Sequence, residues 1–268
     1  MITTVGEATV TPPRPRIALG GLAFDPLTGP EVVSHVRRCL ADGRGGRIVT
    51  PNVDILRQVR RDPDARRHVA DSDLIVADGA PLVWASRLEG SSLPERVAGS
   101  DLIWSLSHAA AADGRRVYLI GGAPGGDRAT AAIAGDRLAA TCAGLHVAGA
   151  CSPPIGFDRD TDTMDMLVAD LRVSDADIVF VGLGFPKQER LIERLSRRLP
   201  SAWFLGCGAA IDFVAGIRNR APVWMQRGGV EWLHRLASEP RRLFSRYAQD
   251  VPVAAGLLVR CGLRGLRR

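Results

Sequence analysis

The sequence lacks the patterns of a disulfide-bonded, secreted or membrane-spanning protein. Its five cysteines are scattered and include no C-x-x-C pair, which predicts neither a disulfide framework nor a zinc site and fits a reducing compartment. No run of about 18 apolar residues occurs, so no transmembrane helix is expected. The proline-rich first 16 residues do not have the pattern of a secretory signal. We therefore expect a soluble or peripheral protein.

Aromatic residues make up only 5% of the chain, and lysine occurs once, at position 187. So few aromatic side chains argue against a stacking platform for single-stranded nucleic acid. Arginine carries the positive charge unevenly: residues 217–268 hold eleven arginines against three carboxylates, although the whole chain has a net charge of only +6. This segment predicts an anionic partner such as phospholipid, pyrophosphate or nucleic acid, unless it is a solvated helical face.

Short apolar runs alternate with stretches of helical period along most of the chain. The runs predict strands at 47–50, 73–77, 116–120, 145–149, 177–183 and 202–206, after an extended piece or hairpin near 16–24. Helices are predicted at 29–41, 53–69, 80–89, 99–113, 125–142, 162–173, 187–198 and 208–216. Strands that are apolar throughout and followed by helices predict an α/β protein with a Rossmann-like, doubly wound, mostly parallel sheet.

The pattern changes after Gly216, which divides the chain into three predicted parts. Residues 1–16 are expected to be a disordered extension, 17–216 a Rossmann-like domain, and 217–268 a basic helical appendage. Within the appendage, 222–247 predicts two helices broken at Glu239 and Pro240, since proline suits the first turn of a helix. The last stretch combines apolar residues with a basic finish, which predicts contact with a membrane surface.

Glycines and polar residues collect where the predicted strands end, and parallel sheets bind ligands at that edge. Three glycine-rich turns, at 121–126, 182–189 and 206–210, follow strands. Exposed backbone amides in such turns attract phosphate. None of the turns completes the G-x-G-x-x-G fingerprint of dinucleotide sites. The turns therefore favour a nucleotide-type ligand over a dinucleotide cofactor.

Asp78 ends the second main strand and has two interpretations. In an Asp-Gly pair it is typical of a turn or of a helix cap. At the edge of a site, the same carboxylate is suited to act as a general base. Thr50 and Asn52 end the neighbouring strand and offer hydrogen bonds to sugar hydroxyls; alternatively, Thr50 is an extended residue before Pro51, and Asn52 caps the next helix.

Paired aspartates in a D-x-D pattern, which hold a divalent metal in many nucleotide-sugar enzymes, occur four times. The pairs are Asp71/Asp73, Asp158/Asp160, Asp160/Asp162 and Asp175/Asp177. Two pairs precede strands, at the edge opposite the candidate site, and the others lead into a helix as capping residues. The five histidines lack the spacing of metal ligands. We therefore predict no metal.

Six blocks, in order over about residues 17–250, resemble the WecG/TagA/CpsF glycosyltransferase family. They are TPNVDIL (50–56), LIVADGAPLVWASRLEG (74–90), LPERVAGSDL (93–102), VGLGFPKQE (181–189), GCGAAIDFVAG (206–216) and RAPVWMQRGGVEWLHRLASEPRRLFSRY (220–247). The resemblance implies a Rossmann-like catalytic domain whose basic appendage helps to complete the site at the membrane. It also implies an inverting, metal-independent transfer of a sugar, often N-acetylmannosamine or its uronic acid, from UDP to an undecaprenyl-diphosphate-linked sugar in surface polysaccharide synthesis.

By resemblance, Asp78 matches the family's proposed catalytic base. The polar residues of the family's pocket correspond to Thr50, Asn52, Arg96 and Gln188. The family's appendage arginines, which are thought to contact the diphosphate, correspond to Arg235, Arg242 and Arg246. The predicted substrate-binding set is completed by the turn glycines Gly121, Gly122, Gly184 and Gly208.

The resemblance also sets the expected partners and location. They are a nucleotide-sugar donor, a lipid-diphosphate-linked sugar acceptor and the inner face of the plasma membrane, with no cofactor and no nucleic acid; a homo-oligomer is left open. The donor sugar cannot be carried over. Two alternatives stay open from the residues alone. They are an NAD(P)-dependent oxidoreductase on the same fold and a non-enzymatic basic module that binds lipid or nucleic acid.

Overall fold

The computed structural model describes residues 15–122, 129–154 and 156–267, with the backbone alone at Arg227. An antiparallel hairpin comes first, formed by β1 (Ile17–Leu19) and β2 (Leu22–Phe24). The six strands that follow form one parallel sheet: β3 (Gly46–Val49), β4 (Leu74–Ile75), β5 (Arg116–Gly121), β6 (His146–Cys151), β7 (Ile178–Gly182) and β8 (Trp203–Gly206). Their spatial order is β4-β3-β8-β7-β5-β6. The predicted α/β, Rossmann-like architecture is confirmed.

Helices cover both faces of this sheet. In chain order they are α1 (Gly29–Ala41), α2 (Val53–Val59), α3 (Pro63–Ala70), α4 (Ala80–Leu88), α5 (Gly99–Ala112), α6 (Thr130–Thr141), α7 (Thr161–Ser174), α8 (Lys187–Ser196) and α9 (Ala210–Val214). The appendage adds α10 (Val223–Arg227), α11 (Glu231–Ser238) and α12 (Pro240–Gly265). Most of the extension expected at 1–16 lies outside the described residues, which begin at position 15. The part of the first glycine-rich turn that follows Gly122 also lies outside them.

Several predicted helices have different bounds in the structure; the one predicted at 125–142, for example, begins only at Thr130, after its N-cap Ala129. The helix predicted at 53–69 is divided into α2 and α3, because Asp62 caps a new helix that begins at Pro63. Its side chain accepts hydrogen bonds from the N–H groups of Asp64 and Ala65, and proline in the first turn needs no backbone donor. The helix predicted at 208–216 is shortened to α9.

The strands bury side chains on both faces, as their continuous apolar runs predict. Val117 and Leu119 of β5 point into the core beneath α1, α5 and α6, whereas Tyr118 and Ile120 join the core on the opposite face with α7 and α8. The alternation follows from the twofold side-chain period of a strand. Both layers of helices therefore hold the ends of the parallel strands in fixed positions, and this fixes the loops that follow them.

The appendage is helical, and its predicted break at Glu239 and Pro240 is confirmed, but α10 is an additional helix before the two that were predicted in 222–247. The last stretch is not separate from it, because α12 continues through Pro252 to Gly265. Leu257 of this helix is buried in the same core cluster as residues of α2 and α4. Among the described residues, no helix is both long and apolar enough to cross a bilayer.

Candidate active site

A cavity of about 860 Å³ opens at the carboxyl ends of the strands, with the appendage on its other side. This volume lies within the usual range of small-ligand sites. Ten of the predicted site residues line it: Thr50, Asn52, Asp78, Gly122, Gly184, Gln188, Gly208, Arg235, Arg242 and Arg246. The strand-end argument and the family resemblance thus converge on one place. Arg96 and Gly121 are not among the lining residues.

Gly121 does not line the cavity, because it packs against Gly182 of the neighbouring strand β7. A Cβ atom on Gly121 would lie 2.3 Å from the carbonyl oxygen of Gly182 on the neighbouring strand. Its own carbonyl accepts a hydrogen bond from the Ser152 hydroxyl at 2.7 Å. The glycine is required by this close approach of two strands, so the structure gives it no contact surface for a substrate.

Asp78 lies at the end of β4, where its backbone N–H donates to the carbonyl of Pro51 at 2.9 Å. Its side chain is 27% exposed and does not cap a helix, since α4 is capped at Gly79 without a side-chain hydrogen bond. Burial raises the pKa of Asp78 to about 6, and the positive charges of Arg96 and Arg235 oppose that rise. A carboxylate with this pKa is ionised near neutral pH and is more basic than an ordinary aspartate.

Thr50 and Asn52 stand beside Asp78 at the end of β3. Thr50 is 7% exposed, and its hydroxyl lies against Gly99, where a Cβ would approach Oγ1 to 3.3 Å. The Asn52 carboxamide oxygen accepts a hydrogen bond from the N–H of Ile55 at 3.1 Å, so the cap interpretation of Asn52 is confirmed. Because that oxygen caps α2, the carboxamide nitrogen is the group that Asn52 can present to a ligand.

Gln188 joins the two glycine turns that follow β7 and β8. Its carboxamide oxygen accepts hydrogen bonds from the N–H groups of Gly184 at 3.2 Å and Gly208 at 3.0 Å. Its nitrogen donates to the Glu189 carboxylate at 2.9 Å. Burial raises the pKa of Glu189 to about 7. Gln188 is itself buried, so the structure shows it fixing the cavity floor, and direct contact with a substrate stays a prediction.

The three predicted arginines reach the cavity from α11 and α12, and each has a carboxylate neighbour. Arg235 lies 3.1 Å from Glu231 and stacks over the ring of Phe213, with 5.0 Å between its guanidinium carbon and the ring centroid. Arg242 pairs with Glu239 at 2.5 Å. Arg246 lies 3.0 Å from Asp54 and 3.7 Å from Asp250. Guanidinium groups in this arrangement can bind a diphosphate with paired N–H donors.

Comparison with known proteins now bears on this site. A family model described as "Glycosyl transferase WecG/TagA/CpsF family" matches residues 17–268. The chain belongs to this family. A curated relative, the N-acetylglucosaminyldiphosphoundecaprenol N-acetyl-beta-D-mannosaminyltransferase of Bacillus spizizenii, is 32% identical over 212 residues, which cover 78% of each chain. The predicted resemblance is confirmed, and the match includes the whole appendage.

Membership in the WecG/TagA/CpsF family makes the protein a glycosyltransferase. It therefore argues against both alternatives that the residues alone left open, the NAD(P)-dependent oxidoreductase and the non-enzymatic basic module. The cavity is also what a transferase needs, because its polar groups surround one space at the strand ends. A basic binding module would need polar groups along the appendage alone.

Among the aspartate pairs of this WecG/TagA/CpsF protein, Asp158 lines the cavity, whereas three other members have structural partners. Asp73 and Asp177 accept hydrogen bonds from the backbone N–H groups of Arg47 and Arg116, both at 2.8 Å, at the amino edge of the sheet. Asp160 caps α7. In the described ranges, no three histidine, cysteine or acidic residues are grouped to hold a metal ion. Metal independence stays a prediction.

The structure adds residues to the site beyond the predicted set, although one of them, Lys187, stands in the strand-end turn at 182–189. The cavity is also lined by Asp54, Lys187, Asp212, Glu239 and Tyr247. Asp54 stands in the first block that carries the family resemblance, and Tyr247 and Glu239 stand in the last. Their positions in those blocks were the available signal, but only the folded chain shows which of their side chains face inwards.

Proposed function

We propose that this protein is an inverting, metal-independent transferase that moves a hexose such as N-acetylmannosamine from a UDP-sugar to a polyprenyl-diphosphate-linked sugar. One observation carries the proposal: the Asp78 carboxylate, with a raised pKa, shares a cavity with Arg235, Arg242 and Arg246. The activity for which the Bacillus relative is named supports the lipid-diphosphate acceptor and the transferred sugar.

The donor diphosphate binds where the appendage faces the strand ends. In the turns at Gly184 and Gly208, no described atom beyond the glycine and its chain neighbours lies within 4 Å of the place that a Cβ would occupy. A ligand can therefore approach the backbone closely at both glycines. The guanidinium groups of Arg242 and Arg246 stabilise the charge that develops as UDP leaves. Each such contact is worth on the order of 2–4 kcal/mol in the barrier, by comparison with other preorganised donors.

Asp78 supplies the basic half of the reaction. Its carboxylate accepts the proton of the attacking acceptor hydroxyl, whose oxygen forms a bond to the anomeric carbon on the face opposite the diphosphate. The bond between that carbon and the phosphate oxygen breaks, and UDP departs with the electron pair. A single displacement of this kind inverts the anomeric centre, and the side chain of Asp78 ends the step protonated.

A peripheral position at the inner face of the plasma membrane would bring the lipid-linked acceptor to this cavity. The appendage exposes large apolar side chains beside its arginines, among them Trp224 at 69% and Phe244 at 68%. Apolar groups interleaved with arginine suit the interface of anionic lipid. Flotation with vesicles that contain phosphatidylglycerol tests this placement. Trp224→Ser should reduce the bound fraction, and equal binding to neutral vesicles would contradict the charge argument.

Turnover of labelled UDP-N-acetylmannosamine with undecaprenyl-diphosphate-N-acetylglucosamine tests the reaction. Asp78→Asn should lose at least about a hundredfold in kcat, the usual contribution of a general base, while it still binds UDP. Asp64→Asn is the matched control, because Asp64 is exposed on α3, outside the cavity. Wild-type turnover by Asp78→Asn would remove Asp78 from the mechanism. No transfer by the unmodified protein with any UDP-hexose would refute the proposed donor.

A further inference from the structure

Glu231 is a buried carboxylate of the appendage that belongs to no predicted set of site residues. It begins α11, yet it is only 8% exposed. One of its oxygens accepts a hydrogen bond from Nη1 of Arg96 at 3.0 Å, and the other lies 3.1 Å from Nη2 of Arg235. Since Arg96 precedes α5 in the Rossmann-like domain, Glu231 connects the appendage directly to that domain.

Arg96 lies near three carboxylates, those of Glu231, Asp78 and Asp101. The same Nη1 that donates to Glu231 lies 3.6 Å from Oδ1 of Asp78, beyond ordinary hydrogen-bond distance. The other terminal nitrogen, Nη2, lies 3.5 Å from Asp101. From the domain to the appendage, the charges therefore alternate in sign in the order Asp78, Arg96, Glu231 and Arg235. Within this series, the guanidinium of Arg96 lies closer to Glu231 than to Asp78.

We propose that Glu231 is a positioning residue, whose carboxylate holds the guanidinium groups of Arg96 and Arg235 away from Asp78, so that Asp78 is a stronger base while α11 is seated over the cavity. The proposal deepens the proposed function, because it takes Asp78 as the base. It links the strength of the base that activates the acceptor hydroxyl to the seating of the appendage.

The charges that face Asp78 set the direction of the effect. Burial is the largest influence and raises the pKa of Asp78; the positive charges of Arg96 and Arg235 lower it, and the negative charges of Glu231 and Asp101 raise it. If α11 lifts, more water reaches Asp78, which is already 27% exposed, Arg96 is free to close the 3.6 Å gap, and Arg235 leaves together with Glu231. Greater hydration and the approach of Arg96 favour the ionised carboxylate and weaken it as a base, whereas the departure of Arg235 acts in the opposite direction. Burial is the largest influence on the pKa of Asp78, so its loss sets the net direction. An open site would therefore be slow to activate either the acceptor or water.

Glu231→Gln tests the idea because glutamine keeps nearly the same shape but loses the charge. The readout is the carboxyl ¹³C titration of Asp78 in aspartate-labelled protein, with the resonance identified by its loss in Asp78→Asn. This measurement needs no turnover. We expect the pKa of Asp78 to fall by about one unit in Glu231→Gln and to be largely retained in Glu231→Asp. Glu239→Gln is the matched control: it removes an appendage carboxylate that pairs with Arg218 and Arg242, and it should leave that titration unchanged.

A second variant covers the case in which Glu231→Gln does not fold. Arg96→Gln should raise the pKa of Asp78, because Arg96 is the largest of the charges that lower it. In the Arg96→Gln background, a further Glu231→Gln change should have less effect than it has in the wild-type chain. An unchanged Asp78 titration in folded Glu231→Gln, or in Arg96→Gln, would overturn the proposal.

The acid limb of the kcat/KM profile separates this proposal from the proposed function. If Asp78 is the base, the limb moves with its titration in Glu231→Gln. A carboxyl titration that shifts while the acid limb stays would support the electrostatic role of Glu231 and count against Asp78 as the base.

Discussion

Truncation of one buried side chain near the end of α12 tests whether the appendage is packed against the Rossmann-like domain. Leu257 is 3% exposed and lies in a core cluster with Leu56 and Leu82. Leu257→Ala removes this side chain and leaves a cavity between α12 and the domain. Such changes cost about 2–5 kcal/mol of the free energy of unfolding. In a protein of this size that corresponds to a fall in Tm of roughly 5–15 °C.

The same helix offers a matched control. Leu263→Ala removes an identical side chain from a position that is 53% exposed, and it should change the free energy of unfolding by less than about 0.5 kcal/mol. Urea unfolding followed by circular dichroism measures both variants. Equal, small losses for the two would refute the packing of α12. An early transition confined to the appendage would show that it unfolds apart from the domain.

Other predictions concern the proposed reaction. Because Asp78 must be ionised to accept a proton and its pKa is about 6, kcat/KM should fall about tenfold per pH unit below pH 6 and level off above it; a flat profile from pH 5 to 8 would contradict this. Arg242→Gln should lower kcat by roughly 30-fold or more by loss of a diphosphate contact, whereas Arg241→Gln, an exposed neighbour outside the cavity, should keep most of the turnover. Turnover should persist in EDTA, and loss with rescue by Mg²⁺ or Mn²⁺ would overturn metal independence.

The sheet could be predicted because each of its strands is a continuous apolar run bounded by polar or glycine residues. Apolar runs of this kind are typical of strands covered on both faces. The division at Asp62 was missed although its signal, an aspartate before a proline, is present in the sequence. The continuity of α12 was harder to predict, since Pro252 indicates a helix boundary and only the packing of Leu257 and Cys261 against the domain shows why the helix continues.

The location of the site was predicted better than the full set of residues that form it. Strand ends located Asp78, Thr50 and the glycine turns because their places follow from local sequence. Gly121 has the same local signal, but a neighbouring strand occupies the space that a ligand would need. Glu231 could not be found in this way, since its partner Arg96 is 135 positions away in the chain. Contacts of that separation are decided by how the appendage packs.

The appendage is attached in two physically different ways, and this predicts which part moves when substrates enter. Above the cavity it is held by ion pairs such as Arg96 with Glu231 and Arg246 with Asp54. Ion pairs of this kind add little net stability, because desolvation offsets their attraction. The end of α12 also has an ion pair, between Arg264 and Glu89 at 3.1 Å, but it adds apolar packing through buried Leu257 and the close approach of Gly265 to the Leu88 carbonyl.

Burial of a leucine side chain contributes about 1.5–3 kcal/mol, whereas the net contribution of a largely buried ion pair is small once desolvation of both charges is included. We therefore expect α11 to lift while the end of α12 stays packed. Hydrogen exchange checks the order: amides of 231–238 should exchange faster than those of 254–262 in the free protein, and UDP should slow the first set more than the second. Faster exchange in 254–262 would show that the whole appendage detaches, and access to Asp78 would then be controlled by the end of α12.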